Sequence, residues 1–128
     1  MSPVPTRWRT TFEEQLADAG RRLDLAEQQL KAGDGGRALQ HAYPAVVSAA
    51  TVRVWLADPP WQRVLPPAEM QGAVRGQFPN LFAALAVLDL KDVLTSPWTA
   101  ASAAPYVNEA IQFLGATRDQ MAASLNQP

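Results

Sequence analysis

His41 is the sole histidine of the chain, and it sits between Arg37 and Tyr43 at the start of a stretch, ALQHAYPAVVSAATVRVWL, that is otherwise almost wholly apolar. An imidazole titrating near neutral pH beside an arginine and a phenol invites a proton-transfer reading. The surrounding spacing does not sustain it. One imidazole is too few ligands for a metal without carboxylates one helical turn away, and no Glu-x-x-His pair of the di-iron bundle type occurs. The absence of cysteine excludes a thiolate zinc site, a disulfide framework and a cysteine nucleophile. A serine on a strained Gly-x-Ser-x-Gly turn is missing as well. The residues give no reason to assign a metal, a cofactor or a catalytic group.

Arg53 is the charge hardest to place. It lies in the most apolar segment, where a guanidinium must reach water, meet a carboxylate or hold an anion. One reading is an ion pair with Asp24, Glu27 or Glu109. The other is an anion site in which Arg53, with Arg37 or Arg118, meets a nucleotide phosphate between helices. Arg53, Arg37, His41, Tyr43 and Arg118 are therefore the candidate ligand-binding residues. Trp55, Trp61, Trp98, Phe78 and Phe82 could stack bases, but their helical and loop spacings suit core and bundle-end filling better. The Gly33-Asp34-Gly35-Gly36 run lacks both the preceding strand and the following Lys-Ser or Lys-Thr that a phosphate loop needs.

The elements that must position these residues are helices. Thr11 and Glu14 form a Thr-x-x-Glu capping box, which predicts a helix start there and leaves residues 1–10 as a mobile lead-in unless Trp8 packs back. Phe12, Leu16, Ala19, Leu23, Ala26 and Leu30 then recur at spacings of four and three, the seam of a helix packed on a neighbour. Asp18 with Arg22 and Glu27 with Lys31 lie on the opposite, solvated face. Gly33 supplies the stop and Asp34 the next cap, so the first two helices form an antiparallel hairpin. The second helix, Ala38 to Leu56, is the organising one. Its seam is Leu39, Tyr43, Val46, Ala50 and Val54, and Ala42, Ala45 and Ala49 form a small-residue face. Pro44 predicts either a bend or a regular helix that begins only near Tyr43.

Pro67 suits the first turn of a third helix through Met70, Val74 and Phe78, which Gly72, Gly76 and Pro79 either kink or split, with Asn80 capping the second piece. Asp92 to Ala104 looks irregular, with Ser96-Pro97-Trp98 as its turn. Pro105 then opens a last amphipathic helix along Tyr106, Ala110, Phe113, Leu114, Thr117, Met121 and Leu125. The fold class expected is all-α: an antiparallel up-and-down bundle of four long helices, or five if one leg is split, in a single domain over residues 11–126.

Composition narrows the partners. At 128 residues with 48% hydrophobic and 18% charged residues, one chain can bury one sizeable core. Its formal charge of −1 arises from eleven basic and twelve acidic residues spread along the length, which is no signature of a DNA-binding domain or an acidic membrane surface. The start carries no secretory h-region and no stretch is long enough for a membrane span, so a cytoplasmic location is expected.

The first amphipathic helix, the GDGG break, the Ala42-Tyr43 step followed by small and apolar residues, and the last helix written YVNEAIQFL together resemble the HEPN (higher eukaryotes and prokaryotes nucleotide-binding) helical bundles. The likeness runs over about residues 11 to 126. Catalytic members of that family are metal-independent ribonucleases with an Arg followed, a turn or more later, by a His near the last helix. Here Arg118 has no histidine after it, and His41 lies in the second helix with Arg37 too close before it. The resemblance therefore implies a non-catalytic member and transfers no catalytic residue. What it implies instead is a homodimer or protein-partner module, with a nucleotide- or RNA-binding domain partnered with a nucleotidyltransferase as the alternative.

Overall fold

Phe12 stacks on Trp55 with ring centroids 5.4 Å apart, and this contact sets how the first two long helices lie together. The computed structural model describes residues 4–86 and 97–125. Their helices are α1 (Thr6–Lys31), α2 (Gly35–Ala57), α3 (Pro67–Gly76), α4 (Asn80–Ala86) and α5 (Ala100–Leu125). The fold is an all-α bundle.

The first helix begins earlier than its capping box suggests. The Pro5 carbonyl accepts from the amides of Trp8 and Arg9, both at 2.9 Å, so the helix is already turning at Thr6. Thr11 sits inside it and donates its hydroxyl to the Arg7 carbonyl at 3.1 Å. The physical reason is Trp8, which packs against Phe12, Trp55 and Trp61 and makes burial of the extra turn favourable. Residues 6–10 are thus part of α1, with Trp8 packed back onto the bundle. The expected seam is buried as read, from Phe12 through Leu16, Ala19 and Leu23 to Ala26. Asp18 pairs with Arg22, whereas Glu27 and Lys31 form no ion pair among the described residues.

The hairpin turn follows from Gly33, the one described residue with a left-handed backbone (φ 80°). Its amide donates to the Leu30 carbonyl at 3.0 Å and that of Asp34 to the Gln29 carbonyl at 2.8 Å, which satisfies two orphan carbonyls of α1 in a Schellman arrangement. Asp34 then accepts from the Arg37 amide at 3.0 Å and caps α2. Regular helix runs from Gly35, so Pro44 is accommodated inside α2 and does not delay its start. Helix α2 packs against both α1 and α5, which also touch each other. Ala42, Ala45 and Ala49 are buried inside this three-helix contact, so the small-residue face is consumed within the chain.

The third leg is split, as the glycines and Pro79 require, into α3 and α4. Met70 shares a depression with Thr51 while Phe78 meets Tyr43 edge-on at 5.9 Å, so the leg runs antiparallel to α2. At the far end Phe82 bridges Tyr43 and Tyr106. Helix α4 is capped from outside: both carboxylate oxygens of Glu109, on α5, accept from the Leu81 amide at 3.2 Å. The last helix starts at Ala100 and not at Pro105. Thr99 and Ser102 cap it reciprocally, each hydroxyl accepting from the other residue's amide at 3.0 Å and 2.9 Å, and the alanines that follow favour helix enough to carry it past Pro105. The irregular stretch expected over residues 92–104 is therefore helical from 100 onward, and residues 92–96 lie outside the described residues. Among the described residues three helices exceed twenty residues, and the third leg of the up-and-down order is the broken one.

Candidate functional site

The five candidate ligand-binding residues do not converge. Arg37 is exposed at the N-terminal end of α2, where its guanidinium lies 3.5 Å from the Asp34 carboxylate. His41 is half-buried one turn later and makes no hydrogen bond among the described residues. Tyr43 is a packing residue whose ring contacts are Phe78 and Phe82. Arg53 lies twelve residues beyond His41, about 18 Å along the helix axis. Arg118 reaches the other way across α5, donating to the Leu16 carbonyl on α1 at 3.4 Å and lying over Gly20.

Arg53 forms no ion pair among the described residues, and the expected partners Asp24, Glu27 and Glu109 are not used. Its Nε donates to the Thr117 hydroxyl at 2.7 Å, its Nη2 to the Phe113 carbonyl at 3.3 Å, and its guanidinium carbon stands 4.0 Å from the Phe113 ring centroid. Thr117 is fully buried and its hydroxyl donates to the Phe113 carbonyl at 2.8 Å. A charge that has lost part of its water is thus held by a hydroxyl, a carbonyl and a π-face, all from α5. Burial pushes the Arg53 guanidinium below its ordinary pKa. A threonine in an otherwise apolar seam was the sequence signal for this clamp.

An apolar furrow runs along α2. Tyr43, Val47, Thr51 and Trp55 follow one another at four-residue spacing and are all half-buried. Helix α3 borders them. Where Tyr43, Val47 and Thr51 face Val74 and Phe78, a depression of about 380 Å³ opens. A second, of about 290 Å³, lies between Trp55, Trp8, Leu65 and Pro60. Met70 lines both. The Thr51 hydroxyl is satisfied by the Val47 carbonyl at 2.7 Å, so the wall of the furrow asks for no polar partner there. At one end stands Arg75, exposed and without an ion pair among the described residues; at the other Arg63 lies between Asp58 at 3.7 Å and Glu69 at 3.4 Å.

The furrow ends on an aromatic cluster. Trp8, Phe12, Trp55 and Trp61 lie with centroids 5.4 to 6.4 Å apart and close that end of the bundle, as expected for Trp55 and Trp61. The indole N–H groups of Trp8 and Trp61 are buried there without an acceptor. Beside them Val64 is 81% exposed.

The sequence singled out Tyr43 in this region as a ligand-binding candidate and gave no such weight to Val47, Met70 and Arg75. The four-residue spacing from Tyr43 to Trp55 was the available signal, but it becomes a surface feature only once α3 is placed. Among the described residues no group of three or more His, Asp or Glu could hold a metal ion, and no helix is long and apolar enough to cross a membrane. No family model, no curated protein and no solved structure matches this chain.

Proposed function

We propose that this chain is a non-catalytic, HEPN-like helical bundle that acts as a dimerisation or protein-partner module. The observation that carries the reading is the furrow between α2 and α3: two apolar depressions that share Met70 in their walls, over about three helical turns of α2, with charge only at the ends. Among the long helices α3 packs chiefly against α2. The missing Arg-to-His motif and the separation of His41 from Arg118 support a role without catalysis.

A second reading, nucleotide or RNA binding beside a nucleotidyltransferase, is favoured by one observation. Arg53 is fixed by α5, has no carboxylate partner among the described residues, and keeps N–H groups that none of them accepts from. Light-scattering mass in solution, with and without an RNA and a nucleotide panel, tests both readings. A dimer, or a complex with a protein partner, that is indifferent to added nucleotide or RNA supports the first. A monomer whose only partner is nucleic acid, bound in a salt-sensitive manner and lost in Arg53→Met, overturns it in favour of the second.

A further inference from the structure

From the charge and length of the furrow we infer what occupies it: one amphipathic helix of a partner protein, its apolar residues seated in the two depressions and an acidic side chain set against Arg75. The inference rests on the partner-docking reading above. The length fits such a helix, since Tyr43 to Trp55 spans about 18 Å, three turns, and a docked helix presents apolar residues at the same four-residue period as the stripe it covers. Val47 and Thr51 offer no unsatisfied polar group to a competing polar segment. The two ends differ in charge. Arg63 is already balanced by Asp58 and Glu69, whereas Arg75 lines the furrow beside Phe78 with no ion pair among the described residues. A carboxylate on the occupant therefore gains a partner at the Arg75 end and none at the other. That asymmetry fixes the direction in which the helix lies as well as its composition.

The test uses the full chain as bait for a displayed library of helix-forming peptides, followed by titration of the selected peptides by fluorescence anisotropy. The expected result is a consensus with apolar residues one turn apart and an Asp or Glu near one end. The best peptide should bind Arg75→Glu about fivefold more weakly or worse, and a Glu→Lys version of the peptide should regain affinity for that variant. Arg75 is exposed and outside the core, so this variant is expected to fold, which circular dichroism checks. Val47→Glu, placed at the centre of the furrow, should abolish binding of every selected peptide.

Selected peptides that bind Arg75→Glu as well as the unaltered chain, yet lose binding to Val47→Glu, overturn the acidic-helix inference while leaving the partner-docking reading intact. Failure to select any peptide, from a chain that is monomeric and captures no protein, overturns both. A homodimer that Val47→Glu dissociates shows a second copy in the furrow, which overturns the inference and supports the dimerisation branch of that reading.

Discussion

The Arg53 guanidinium on α2 donates to the Thr117 hydroxyl on α5 at 2.7 Å, and that hydroxyl in turn donates to the Phe113 carbonyl. This contact joins two helices that run parallel, as shown by Gly35 abutting Thr99 at one end and Arg53 reaching Phe113 and Thr117 toward the other. It takes the place of the expected ion pair. Thr117→Val removes the acceptor and strands a donor, and the expected loss is about 1–2 kcal/mol in chemical unfolding. Arg53→Met leaves no charge to satisfy and should cost less. In the double variant the two losses should fall short of their sum, and strict additivity would show that the contact is not energetically coupled.

At the other end of the same helix pair, Gly35 lies so close to the Thr99 backbone that an added Cβ would run into the Thr99 carbonyl oxygen. Backbone cannot swing away as a side chain can. Gly35→Ala is expected to destabilise by about 1–3 kcal/mol through overpacking. Gly36→Ala is the control, since its Cβ would stand 3.7 Å from the Asp34 carboxylate, an ordinary contact, and alanine is the better helix former. Melting temperatures should therefore move down for the first and stay or rise for the second.

Trp8 carries a comparable test for the start of the fold. Its ring touches Phe12, Trp55 and Trp61, so Trp8→Ala should cost about 2 kcal/mol, below the full-burial range because the residue is only half-buried. Removing residues 1–4 alone should cost far less. If both changes left the thermal midpoint where it was, the first turn of α1 would be dispensable.

Asp18 gives the pH dependence its sign. The hydrogen bond from Arg22, at 3.0 Å, holds the Asp18 carboxyl below its ordinary pKa. A carboxyl depressed in the folded state adds stability above its unfolded pKa and loses it as pH falls through the folded value. Asp18→Asn should therefore lower the melting temperature at neutral pH, with the gap to the unaltered chain closing below about pH 4. A gap that stays constant down to acid pH would mean that the Asp18 carboxylate does not contribute through its charge.

The local rules of helix formation were legible in the residues themselves. Gly33 could only be a stop and Asp34 a cap, because a left-handed backbone and an orphan amide each select a residue type without reference to the rest of the chain. The seam from Phe12 to Ala26 was likewise visible, since a period near 3.6 and apolar chemistry suffice to bury one face. Local signals failed where two of them competed. Thr11 and Glu14 form a valid cap in isolation, yet burying Trp8 against Trp55, more than forty residues away, outweighs it. Pro105 looked like a first turn, but the Thr99–Ser102 cap and the alanines between recruit an earlier start. The partners of Arg53, the enclosure of the alanine face and the furrow beside α3 were decided only by tertiary structure. Each depends on which helices become neighbours and in which direction they run, and a helical period records which face is apolar without recording what will cover it.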